Sequence, residues 1–411
     1  MASTLRRMVV LGPSGTILPG GSQDYREAGN RRFFQETGTR WARLWADWPT
    51  LMPTASGFDT ARLDALDEQI ALARRDGLRI ILTLYRFPTW ANGIDGMTAD
   101  QLAATMPDRR TAGQGDNQAK LVEFRYPDDV SAGSPWGRFV DALVGRYSRT
   151  DAGRPTLDAT IDVLEVCNEP NLQWWPQQSP STTGDPFASS AAGIVVHDVV
   201  ARMFETAQGI VAAHGGEPLL AGPGLADFLD TSRLRTGYAS FAGRLLPLLA
   251  SRGFRPGPGF AWTHHNYTDV TFDQGAGTTA PDAATVPART TNNAADMRRR
   301  LVGNWAGWPA GDASDPWVMI TEGGVTMASL ASAARWNIAD PAARLAKQAE
   351  LIRRNWDRMA TDTGDGAGIA MVCNYLWYTD PNFDSGLCDD LASGGATRPA
   401  YATWSGLPSF A

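Results

Sequence analysis

Short apolar runs alternate with longer amphipathic ones along most of this 411-residue chain. Eight runs have the length and the aliphatic or β-branched content of buried strands. They are Met8–Gly12, Thr39–Asp47 (TRWARLWAD), Leu78–Tyr85 (LRIILTLY), Ile161–Cys167 (IDVLEVC), Pro218–Gly222 (PLLAG), Phe260–His265 (FAWTHH), Trp317–Thr321 (WVMIT) and Gly368–Leu376 (GIAMVCNYL). Between them, apolar residues recur at three- and four-residue steps over 61–75, 136–147, 194–214, 240–252 and 342–359, the spacing of amphipathic helices. Gly77 stops the first of these helices. Strand and helix taking turns through the whole length, with no linker, repeat or low-complexity tract, predicts an α/β fold. The expected form is a (β/α)8 TIM barrel, a single domain over residues 1–411. Segments 92–135, 171–192 and 268–295, each following a strand, are long and rich in Gly, Pro, Asp and Thr. In such a barrel these long βα-loops gather over the catalytic face. RPAYATW (398–404) is expected as the last helix, which leaves no accessory domain.

Composition narrows the choice of partner. A hydrophobic content of 43% supplies a large core, and the net charge of −7 argues against nucleic acid as a partner. No run of about 18 apolar residues is present, so no membrane span is expected. The apolar stretch MVVLG near the start is shorter than a secretory signal core, and both a cytoplasmic location and secretion after loss of a leader fit. Three cysteines are too few for a disulfide framework. Cys167 and Cys373 lie in strand-like runs as buried thiols, and a Cys373–Cys388 pair is left open. The 15 tryptophans suit both stacking on sugar rings and filling a core.

Two motifs carry chemistry. In VLEVCNEPN (163–171) an apolar strand delivers Glu169 at its C-terminal end, where Pro170 stops strand pairing. In WVMITEGG (317–324) a second strand delivers Glu322 in the same way, followed by glycines. As strands four and seven of a barrel, they would project both carboxylates over one mouth from opposite sides. Cleavage of a glycosidic bond needs such a pair, one to protonate the leaving oxygen and one to act at the anomeric carbon. A retaining enzyme holds them about 5–5.5 Å apart and an inverting one about 6.5–9.5 Å.

Asn168-Glu169-Pro170 and Thr321-Glu322-Gly323 resemble the acid/base and nucleophile motifs of the clan A glycoside hydrolases, and NEPN followed by LQWW resembles family 39 most, with family 5 close behind. The resemblance implies a retaining β-glycoside hydrolase with Glu169 as acid/base and Glu322 as nucleophile, a carbohydrate substrate, and neither cofactor nor metal. It implies that Arg43, in WARLWADW, supports the nucleophile, although a barrel-floor salt bridge fits Arg43 equally. It places Asn168 on the sugar 2-hydroxyl, His265 on the sugar or the acid, and Tyr267 on the nucleophile. Trp377 resembles the platform under the sugar, and Trp90 matches the family 39 segment after strand three. His264 should point to the opposite face of its strand and pack there. Trp174 and Trp175 would either stack on the leaving group or pack their loop. The chain departs from the pattern at Tyr85-Arg86-Phe87, where many members carry a His, and at Cys167, where family 39 commonly has Trp. Other functions remain: a transglycosidase with the same pair, or a catalytically silent carbohydrate-binding barrel. A metal-dependent barrel hydrolase would need a His-x-His on the first strand, and MVVLG has none.

Overall fold

The computed structural model describes residues 24–98, 100–101, 126–149, 159–171, 196–228, 237–254, 260–273, 293–304, 318–333, 336–360, 369–379, 383–389 and 394–408, together with the backbone of 6–10. The strands are β1 (Arg6–Val10), β2 (Trp41–Asp47), β3 (Arg79–Tyr85), β4 (Val163–Glu165), β5 (Leu219–Leu225), β6 (Phe260–His265), β7 (Val318–Glu322) and β8 (Ile369–Asn374). Strands β2 to β8 form a curled parallel sheet in sequence order. The backbone of β1 pairs in parallel with both β2 and β8 and closes the curl. The α/β class expected from the alternating pattern is the class observed. Of the three long segments expected over the catalytic face, 102–125, 172–195 and 274–292 lie outside the described residues.

The helices between strands begin where the chain supplies a cap. Asp59 accepts the backbone N–H of Arg62 and opens α3 (Thr60–Arg75), and Ser134 accepts from Gly137 and opens α4 (Pro135–Tyr147). Asp340 accepts from both Ala342 and Ala343 at the start of α10 (Pro341–Met359), whose Pro341 already has a helical φ. These helices turn one stripe to the sheet: Leu63, Leu66, Ile70 and Ala73 from α3, and Leu351, Ile352, Asn355, Trp356 and Met359 from α10 are buried. The helices α1 (Ala28–Thr37), α2 (Trp48–Leu51), α5 (Val196–Ala213), α6 (Tyr238–Ser251), α7 (Tyr267–Thr271), α8 (Asn293–Asn304), α9 (Met327–Ser332) and α11 (Pro399–Ser405) complete the order. No described helix is long and apolar enough to cross a membrane. All three cysteines are buried free thiols, which closes the possibility of a Cys373–Cys388 bridge.

Two features of the sheet position the site. Its interior carries a polar layer, with Arg43, Thr83, Glu165, Thr263 and Thr321 all fully buried. The parallel register is also interrupted on either side of β6, between Gly222 and Leu225 and between His264 and His265. The second irregularity sets His265 opposite Glu322, and such bulges re-aim side chains at strand ends.

The opposite end of the strands is held by a charge cluster. Asp162, just before β4, accepts from the backbone N–H of Ile80 (2.8 Å), Arg74 (2.6 Å), Arg79 (3.0 Å) and Arg149. Removing that buried charge leaves three guanidiniums facing one another. Asp162→Asn is expected to lower stability by about 3 kcal/mol, read from urea unfolding. A parent-like midpoint would contradict this account of the strand ends.

Candidate active site

Both glutamates lie at one mouth of the barrel, on the C-terminal side of their strands. Glu322 is the last residue of β7, and Glu169 follows β4 by four residues. Glu169 has φ of 46°, a left-handed conformation that costs a non-glycine residue about 1–3 kcal/mol. Its N–H donates to Gly224 O at 2.9 Å, which pins the strained turn to the end of β5. Gly323 is required by crowding, because a Cβ there would collide with Asn266 Oδ1 and lie 3.0 Å from Cys373 O.

Arg43 reaches up from β2 and ties the parts together. Fully buried, it donates through Nε to Glu165 Oε2 (2.7 Å), through Nη1 to Glu322 Oε1 (2.5 Å) and through Nη2 to Asn168 Oδ1 (2.7 Å). The guanidinium carbon sits 4.3 Å from the centroid of the Trp45 ring. Tyr267 donates its hydroxyl to the other oxygen of Glu322 at 2.8 Å. Tyr267 is itself placed by Asp227, which accepts from Thr268 N–H (2.7 Å), Thr268 Oγ1 (3.0 Å) and Asp269 N–H (3.2 Å) at the start of α7. His265 stands between the two carboxylates, its Nδ1 2.8 Å from Glu169 Oε1 and 3.7 Å from Glu322 Oε2. One oxygen of Glu169, one of Glu322 and a ring nitrogen of His265 all lie within 4.8 Å of one another.

The environments of the two carboxylates differ. Burial pushes Glu169 up to about 8; Arg43 opposes this and the negative Glu165 adds to it. Burial also raises Glu322, but His265, Arg43 and the Tyr267 hydroxyl pull it back. Glu322 therefore has the donors an ionised carboxylate needs, while Glu169 meets the His265 imidazole at 2.8 Å. Burial drives His265 down to about 4, so near neutrality its contact with Glu169 is a neutral carboxyl–imidazole hydrogen bond. A divalent cation could take ligands from Glu169, His265 and Glu322, but it would compete with the Arg43 guanidinium for Glu322.

The expected residues divide into those brought together and those placed elsewhere. Arg43, Asn168, Glu169, His265, Tyr267 and Glu322 form one connected cluster. His264 points to the other face, buried against Tyr238 with ring centroids 5.3 Å apart. Trp377 sits in an aromatic cluster beside α1 and α11. Its ring packs against Phe33 of α1, Tyr378 and Tyr401 of α11 (centroids 3.5, 4.9 and 6.1 Å). The cause is local: β8 ends at Asn374, and Leu376 takes φ of 67°, which breaks the strand alternation before Trp377. Trp90 donates to Met52 O at 3.2 Å and packs on Trp48, a partly buried position outside the cluster. Trp174 and Trp175 lie outside the described residues.

Three residues at the site have no counterpart in the motifs. Tyr375 packs edge-on against Phe383 and Tyr267 (5.1 and 6.0 Å), with its hydroxyl pushed up by burial and by the charge of Glu322. Tyr85, stacked edge-on against Trp45, is raised by burial and feels both carboxylates. Glu165 is a third, fully buried carboxylate beneath the pair. Its sequence signal was available, since a charge in the middle of the apolar run VLEVC has to meet a partner inside.

No family model matches this chain, and neither does any curated protein. Solved structures do resemble it. A family 39 glycoside hydrolase from Bacteroides cellulosilyticus superposes with a TM-score of 0.52 at 13% identity, over 98% of this chain and 63% of its own. A glucosidase from Croceicoccus marinus gives 0.53 at 13%, over 92% and 62%. An endo-glycoceramidase II from Rhodococcus sp., solved with an iminocyclitol, gives 0.52 at 14%, over 98% and 78%. The chain thus spans under two thirds of the first two proteins. At these identities the likeness establishes a shared fold.

Gly224, at φ +60°, lies where an added Cβ would come 3.2 Å from Glu165 Oε1 and 3.3 Å from His265 Nε2. Gly224→Ala is expected to cost about 1–3 kcal/mol, strain plus crowding, in urea unfolding. No loss would mean that the strand end is free to relax away from the site.

Proposed function

We propose that this chain is a retaining β-glycoside hydrolase and that residues 1–411 act as one catalytic (β/α)8 unit. One observation carries the reading: an oxygen of Glu169 and an oxygen of Glu322 lie within 4.8 Å of each other. That closeness of the nearest oxygens fits a pair set about 5–5.5 Å apart, at which one carboxylate attacks directly, better than the about 6.5–9.5 Å that admits a water. The fold shared with several glycosidases supports the same reaction class.

In the first step Glu322 attacks the anomeric carbon and the bond to the leaving oxygen breaks. Glu169 gives its proton to that oxygen, forming a glycosyl ester on Glu322 and a free alcohol. In the second step Glu169, now a carboxylate, takes a proton from water as the water attacks the same carbon, and Glu322 departs ionised. Arg43 and Tyr267 hold both oxygens of Glu322 in the ionised form before attack and after release. Asn168 spends its carbonyl on Arg43, which leaves its amide N–H groups to donate to a sugar hydroxyl. Tyr375 and Tyr85, which both feel the charge of the pair, supply aromatic walls to the site. The substrate class is a β-linked glycoside or short oligosaccharide.

Two measurements test this. With aryl β-glycosides, Glu322→Gln and Glu169→Gln should each lose activity by about 10²-fold or more. The Glu169 loss should shrink as the leaving group becomes a better one, since a good leaving group needs no proton. Parent-like rates in both variants would sink the assignment. Independently, kcat/KM should fall as pH rises through about 8, where Glu169 loses its proton, and should fall on the acid side above the usual carboxylate range, where Glu322 gains one. A profile flat through both regions would contradict these roles.

A further inference from the structure

The mechanism uses two carboxylates, but the barrel buries a third beneath them. Glu165 is 0% exposed, and its oxygens are fully occupied by donors. Arg43 and Thr83 donate to Oε2 (2.7 and 2.6 Å), and Thr321 donates to Oε1 (3.0 Å). Thr263 also bonds it, while its own oxygen accepts from Gly224 N–H at 2.6 Å. A carboxylate receiving charged and hydroxyl donors from four strands is held in the ionised form. Ionisation is favoured despite the cost of burial, because Arg43 in particular pulls the group below the usual carboxylate range.

An ionised carboxylate in that position solves a problem set by Arg43. A lone buried guanidinium next to Glu322 would favour the anionic form of every carboxyl nearby, including the one that has to arrive protonated. Among the described residues, the charged and titratable groups around Glu169 include Arg43 from β2, Tyr85 from β3, Glu165 from β4, His265 from β6, Tyr267 from α7, Glu322 from β7 and Tyr375 after β8. His265 is neutral and the tyrosines are protonated, so the fixed charges are Arg43, Glu165 and the nucleophile.

Resting on the reading of Glu169 as general acid, we propose that Glu165 is a positioning residue for the catalytic pair. It anchors two of the nitrogens of Arg43, which aims Nη1 at Glu322 and Nη2 at Asn168. Its fixed negative charge also offsets Arg43 as seen from Glu169, so that one guanidinium ionises the nucleophile without ionising the acid. The division of labour between two similar carboxyls then depends on a third that never touches substrate.

The test follows Glu169 directly, through carboxyl-carbon NMR of glutamate-labelled protein, alongside the pH profile of kcat/KM. The Glu169 signal is assigned by its loss in Glu169→Gln, and in the parent it should titrate near about 8 together with the alkaline limb. In Glu165→Gln, which keeps the shape and removes the charge, signal and limb should both move down by about one pH unit or more. Glu165→Asp keeps the charge and should leave the signal high while kcat falls through the retracted Arg43; it also carries the test if the Gln variant does not fold. A signal that titrates in Glu165→Gln where it does in the parent, or one that drops to the ordinary carboxylate range in Glu165→Asp, overturns the role of Glu165. An alkaline limb that does not follow the Glu169 signal in the parent overturns the acid assignment instead.

Discussion

A guanidinium sealed inside a barrel is tolerable only when its charge and its N–H groups are matched, and in this protein the site is built out of that match. Arg43 spends its donors on Glu165, Glu322 and Asn168. Each partner comes from a region of the chain remote in sequence, so the ion cluster cannot form until β2, β4 and β7 are in register. The polar layer of Thr83, Thr263 and Thr321 exists to complete the coordination of Glu165. Breaking one member would leave the rest as buried uncompensated charge, which costs more than the pair contributes.

Around that cluster the backbone departs from regularity where the chemistry requires it. Glu169 is held at positive φ, Gly224 at a φ that spares the space between Glu165 and His265, and the β6–β7 ladder shifts by a residue to bring His265 level with Glu322. These distortions cost stability locally and are held by the surrounding close-packed strands. The result is a carboxylate pair with unequal surroundings, Glu322 held by Arg43 and Tyr267 and Glu169 set against the His265 ring.

Much of this was legible in the sequence because it depends on period and position. A strand ending in Asn-Glu-Pro or in Thr-Glu-Gly places a carboxylate at the barrel mouth, and strand alternation separates His264 from His265. Six of the expected residues meet in one network for this reason. Tryptophan placement was less legible. Trp377 lies beyond the end of β8, past a left-handed residue, where alternation no longer tells inward from outward. Glu165 was hidden by the strength of the neighbouring motif, although a charge inside VLEVC signals a buried partner. Asp227 was hidden because its role, holding α7 so that Tyr267 reaches Glu322, arises from contacts between separate loops.

The central claim is that Glu322 forms a bond to the sugar. The most direct test is the configuration of the first sugar released from an aryl β-glycoside, followed by proton NMR before mutarotation. The β-anomer appearing first, the product of two successive inversions, is the predicted result. The α-anomer appearing first would contradict it, making Glu322 a base acting on water despite the short gap between the carboxylates.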